Sequence, residues 1–201
     1  MQDPINNWGR TRWRRFVALM VPATAVAGAI LFGIANGAIA ADITVSGKQF
    51  KVAAQKLEGQ GFKQYGGVVK EKDGTVHPVA LSEIGHAELY KMCQSVDASV
   101  PGMPVVLRIE AGGGEPATAD GMVIAMDSLE GDATFTRINI GRDASDLNPA
   151  ALAGSFGQDA QQVQITGLRQ VARYTTAGTF NLKGLKMTVH AFGDAKGKQC
   201  F

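Results

Sequence analysis

Between Phe16 and Ala41 the chain runs for 26 residues without a charge, and no other stretch limits its folding so sharply. About 20 apolar residues in a helix cross the ~30 Å of bilayer hydrocarbon, so the run is long enough to span. Arg10, Arg12, Arg14 and Arg15 precede it, and the first charge after it is Asp42. Because positive residues stay on the cytoplasmic side, this asymmetry predicts three segments. Residues 1–15 are a cytoplasmic basic tail, 16–41 a transmembrane helix or uncleaved signal anchor, and 42–201 an extracytoplasmic domain. The alternative is a secreted protein: Ala38–Ala40 form an A-x-A site with cleavage before Ala41. A signal core of ~7–15 residues is shorter than this run, although Pro22 could divide it and leave Ala23–Ala35. Retention is favoured by Ala25, Ala29, Gly33, Gly37 and Ala41, which recur every four residues along one ridge of a helix. Such a ridge lets a second helix approach closely in lipid, so the segment is expected to pack against itself or a membrane partner.

Residues 1–41 hold four arginines against Asp3, a net of +3, which leaves 16 basic and 17 acidic groups in residues 42–201, a net of −1. A nearly neutral domain lacks the clustered cations that nucleic acid requires, so no nucleic-acid partner is expected. The ~160 residues after the run suit one domain with a substantial core. Cys93 and Cys200 are the two cysteines, with no C-x-x-C pair for zinc or redox chemistry. Outside the cytoplasm they are expected to form a disulfide that ties the end of the chain to its middle.

After Asp42 the apolar residues alternate in short runs punctuated by glycine, and no helical stripe persists. Asp73-Gly74 lies between two β-favouring runs and marks a hairpin, with Pro78 making the returning arm an edge strand or a bulge. "VVLRIEA", "MVIAMDSLEG", "ATFTRINIG", "VQITGL" and "GTFNLKGLKMTVHAF" repeat the alternation. Gly141–Gln162 is the one long break, where Asn148 is expected to cap a short helix with Pro149 at its first position. "KLEGQGF" and "SLEGDATF" share a Leu-Glu-Gly turn, but the unequal intervals give no regular repeat. The expected fold is mainly β: one antiparallel sandwich or barrel-like domain behind a single N-terminal transmembrane helix, with an irregular β-solenoid as alternative.

The runs "AADITVSGKQFKVAAQKLEGQGFKQYG", "MCQSV", "MDSLEGDATFTRINIG" and the final "QCF" resemble a family of actinobacterial proteins of unknown function, often labelled cholesterol esterase. The resemblance covers nearly the whole chain. It implies an exported, membrane-associated protein, encoded beside a small multi-helix membrane partner. It carries no established active site onto these residues.

The esterase label requires a serine on a strand-to-helix turn with a histidine and an acid. G-x-S-x-G is missing, and the nearest substitute is Ser155 with Asp159 and His190, without the βα units of a hydrolase sheet. His77 and His190 sit in alternating segments and read as sheet residues. Asp143 and Asp146 lack the other ligands of a calcium loop and read as caps and turns. The Gly-rich run Ala111–Gly121 lacks the Lys-Ser/Thr of a phosphate loop and reads as a flexible connection. No cofactor or metal is expected. The expected function is therefore a non-enzymatic membrane protein whose β domain assembles with itself or a membrane partner. The alternative is a lipid-binding module lined by Val105, Leu107, Ile109, Met122, Ile124 and Met126.

Overall fold

The computed structural model describes residues 44–201. The basic tail with Arg10, Arg12, Arg14 and Arg15, and the ridge Ala25, Ala29, Gly33, Gly37 and Ala41, lie outside the described residues. Among the described residues no helix is long and apolar enough to cross a membrane.

The strands are longer than the short runs of the sequence suggest. In chain order they are β1 (Thr44–Val45), β2 (Phe50–Glu71), β3 (Val76–Tyr90), β4 (Met92–Asp97), β5 (Val105–Ala111), β6 (Ala117–Thr136) and β7 (Asn139–Asp143). A short helix, α1 (Ala144–Leu147), precedes β8 (Phe156–Thr176), β9 (Thr179–Asn181) and β10 (Lys186–Ala191). The β2–β3 hairpin turns at Asp73-Gly74, as expected. Gly74 takes φ +95° and donates its N–H to Glu71 O at 3.0 Å. Asp73 Oδ1 accepts from Thr75 N–H at 2.9 Å. Pro78 lies past Ala80, where the β3–β6 ladder ends, so its missing N–H interrupts no pairing on that side.

Antiparallel ladders join β2 to β3, β3 to β6 and β6 to β8, and β8 returns to β2 through Phe50–Ala54 against Leu168–Ala172. This ring is a closed β-barrel, which removes the solenoid alternative and decides for the barrel-like form of the expectation. From β2 the sheet also extends outward through β4, β5 and β10.

Closure depends on glycines in register. Gly61, Gly85 and Gly121 stand opposite one another on β2, β3 and β6, between the pairs Gln60–His86–Asp120 and Phe62–Ile84–Met122. Gly61 and Gly121 have φ +67° and +58°, a region that costs other L-residues roughly 1–2 kcal/mol. At this row the inward residues change parity on all three strands. Leu57 and Gly59 give way to Phe62, Ala87 and Leu89 to Ile84, and Ala117 and Ala119 to Met122 and Ile124. Gly167 does the same on β8, between the inward Ile165 and Leu168. The strands therefore bend around the core instead of ending, as curved sheets require. The Leu-Glu-Gly segments read as turns are interior to β2 and β6, and they bring Phe62 and Phe135 together with ring centroids 5.4 Å apart.

The break at Gly141–Gln162 is shorter than expected, because β8 already starts at Phe156. The helix inside it ends where the sequence suggested a beginning. Asp143 is its N-cap, accepting from Ser145 N–H at 3.0 Å, and Asn148 is its C-cap. The Asn148 amide donates to the barrel, to Tyr65 Oη at 2.8 Å and Glu83 Oε1 at 2.6 Å, while its Oδ1 accepts from Ala150 N–H at 2.9 Å in the turn that follows.

Candidate interaction surface

The inner face of the barrel does not stop at the closed ring. Val189 on β10, Leu107 on β5, Val96 on β4, Phe50 on β2 and Ala172 on β8 lie in one row across five strands. The next row carries Met187, Ile109, Gln94, Val52 and Gln170. Ala172, Phe50 and Val52 belong to or pack on the barrel core. Farther out the same face opens to solvent: Leu185, Met187 and Val189 are each more than half exposed. Strand β10 is the end of the sheet and pairs with β5 along one side. An edge strand with an apolar stripe is a template for a further strand, which proteins normally blunt with charge or proline. Where this face meets the start of β2, a cleft of about 460 Å³ opens among Val45, Phe50, Val96 and Phe180, bordered by Lys48 and Arg173.

The opposite face of the extension is polar and covered. Cys93 and Cys200 are bonded, as expected, with their Cα atoms 5.8 Å apart. Cys200 N–H donates to the buried Ser95 Oγ at 3.0 Å, Arg108 Nη1 to Lys198 O at 3.3 Å, and Lys51 Nζ to Phe201 O at 2.7 Å. The segment 192–201 is thus a strap laid over the polar side, and only the apolar side is left open. Between strap and sheet lies a cleft of about 810 Å³ whose lining includes Pro104, Val106, Phe192, Phe201, Lys51 and Lys196.

A network of charges holds the two ends of β2 together. His77 Nε2 lies 2.6 Å from Glu71 Oε1, Arg173 Nη1 is 3.8 Å from the same oxygen, and Arg173 Nε donates to Asp127 Oδ1 at 2.9 Å. Gln49 Nε2 donates to Asp127 as well. His77 is therefore a structural partner of Glu71 in its hairpin arm.

The other residues singled out from the sequence separate. Ser155 Oγ donates to Leu152 O at 2.6 Å, Asp159 faces Arg142 Nη1 at 3.5 Å, and His190 Nδ1 lies 2.6 Å from Asp194. Each has its own partner, and the three form no triad. Asp143 takes Ser145 Oγ at 2.8 Å and Gly154 N–H at 2.9 Å in addition to its cap, and these bonds hold its carboxyl below the usual range. Among the described residues no group of three or more His, Cys, Asp or Glu side chains converges on a metal position. Met122, Ile124 and Met126 are buried in the barrel core, whereas Val105, Leu107 and Ile109 belong to the outer extension. The six residues expected to line one lipid pocket thus occupy two places. The Gly-rich connection is only residues 112–116, since β6 begins at Ala117.

A family model matches residues 46–201, well over half of the chain. The chain belongs to DUF6230, a family of unknown function. No curated protein and no solved structure matches it. The DUF6230 match starts just after β1 and takes in the barrel, the extension and both cysteines. It agrees with the resemblance to a family without an assigned function, and it identifies no catalytic family.

Proposed function

We propose that this DUF6230 protein is a non-enzymatic, single-pass membrane protein whose extracytoplasmic β domain forms an interaction assembly, with itself or with a membrane partner. The observation that carries the reading is the open edge of β10 with its exposed stripe Leu185, Met187 and Val189. The charge-free run Phe16–Ala41 supplies the anchor, and its small-residue ridge supplies a second contact within the bilayer.

Native mass spectrometry of the full chain extracted from membranes tests this. The expected species retains residues 1–41 and is heavier than one 21.2 kDa protomer. Met187→Asp with Val189→Asp should reduce its size, and Gly33→Leu with Gly37→Leu should reduce it through the helix. A species starting at Ala41 in the medium, or a complex that neither pair of substitutions changes, overturns the reading.

One observation favours a second reading, an extracytoplasmic lipid-binding module. The cleft under the strap falls within the ~300–1,000 Å³ of ligand sites and combines apolar walls with Lys51 and Lys196, which suit an acyl chain with an anionic head. Co-purified lipid in the same spectra, lost on Val106→Trp, would support it.

A further inference from the structure

The barrel's inner face also runs past the ring at the hairpin end. Beyond Ala80, strand β6 no longer covers β3, and the side that carries Phe62 and Ile84 within the barrel continues as Val68 opposite Pro78 and Lys70 opposite Val76. Val68 is 67% exposed and Val76 56%. Pro78, Lys70 and Lys72 are exposed with them. The reverse side of the same hairpin is buried through Val69, Val79 and Val45. The tip thus presents a small apolar face edged by two lysines.

The chain itself points to what covers this face. Thr44 on β1 pairs with Lys70, which in turn pairs with Val76, so the patch lies directly beside the domain's entry point. Asp42 and Ile43 alone separate Thr44 from Ala41, the last residue of the charge-free run. Three residue steps reach at most about 10 Å. If the run spans a bilayer, its outer end lies within that distance of Thr44, and Lys70 and Val76 follow one and two strand spacings of about 5 Å farther on. Valines and a proline flanked by lysines fit the boundary between acyl chains and headgroups, where apolar groups enter and cations remain among the phosphates.

We propose that the β2–β3 hairpin tip inserts Val68, Val76 and Pro78 into the outer membrane–water boundary, with Lys70 and Lys72 on lipid phosphates, and so fixes the barrel's orientation on the membrane. The proposal rests on the anchored reading above.

The test uses the full chain, with its disulfide oxidised, in vesicles of phosphatidylcholine and phosphatidylglycerol. An environment-sensitive fluorophore is attached at Val76→Cys in one sample. In another it is attached at Glu115→Cys, an exposed site beyond the far end of β3. The label at 76 should shift to the blue and lose roughly half its intensity when the lipids carry brominated acyl chains, while that at 115 stays as in water. A label at 76 that matches the one at 115 overturns the proposal. A blue shift without quenching by bromolipid also overturns it, because the tip is then covered by protein. An alkaline wash separates this failure from failure of the anchored reading: a chain released by carbonate was never anchored, and both fall together. A retained chain with an unquenched label at 76 removes only the hairpin contact.

Discussion

Tyr65 shows how one side chain becomes a joint between distant segments. Its ring packs with Ala144 and Leu147, while its hydroxyl donates to Glu83 and accepts from Asn148. Burial, and then the Glu83 carboxylate, push its phenol well above the ordinary value of 10. Since the folded value exceeds the unfolded one, this contribution to stability is complete below about pH 10 and is lost as pH rises from there toward the folded value. Tyr65→Phe should cost about 1–2 kcal/mol at neutral pH. Its urea midpoint should also fall less than the wild type's between about pH 9 and about pH 11. Tyr90, pushed up to about 12 by its hydrogen bond to Glu88, titrates in both proteins and leaves the comparison intact. Parallel declines would remove Tyr65 from the alkaline response. Little of this joint was legible beforehand. "NPAAL" has the local chemistry of a helix start, and Asn148 Oδ1 does accept from Ala150 N–H, but the segment makes only a turn: the helix precedes it, capped by Asp143, and the Asn148 amide is held by Tyr65 and Glu83, 83 and 65 residues away.

At the scale of the element, alternation was readable but strand length was not. A strand that keeps one parity shows an unbroken period of two, whereas β2, β3 and β6 change parity at Gly61, Gly85 and Gly121. A bend of that kind looks in the sequence like an end followed by a new beginning. The row also makes a sharp prediction. Gly121→Ala must hold a side chain at φ +58° and should destabilise the barrel by about 1–2 kcal/mol in urea denaturation. Gly114→Ala, where an added Cβ meets nothing within 4 Å, should be close to neutral. Equal effects at the two positions would mean that the row does not bear the curvature. The hairpin was legible because its signal is local: Asp73 supplies the side-chain acceptor and Gly74 the positive φ.

For the whole molecule, the disulfide closes a loop with a sequence separation of 107, and the strap it secures shields the polar side of the extension. Cys93→Ser with Cys200→Ser should cost about 4–5 kcal/mol by loop-closure entropy, or about 10–15 °C in Tm. It should also raise hydrogen exchange at the backbone N–H of position 200, which in the wild type bonds to Ser95 Oγ. A Tm within a few degrees of the wild type would show that the strap's other bonds suffice. The sequence by itself determined the β character, the Asp73-Gly74 turn and the one possible cysteine pair, because each depends on residue type or near neighbours. It also marked the charge-free run. Only the tertiary structure decided that β8 returns to β2, that three glycines align across strands, and that one face of the extension stays open. Those outcomes depend on register between segments distant in the chain, such as Leu107 against Val189 and Phe50 against Ala172, and short-range periodicity carries no information about it.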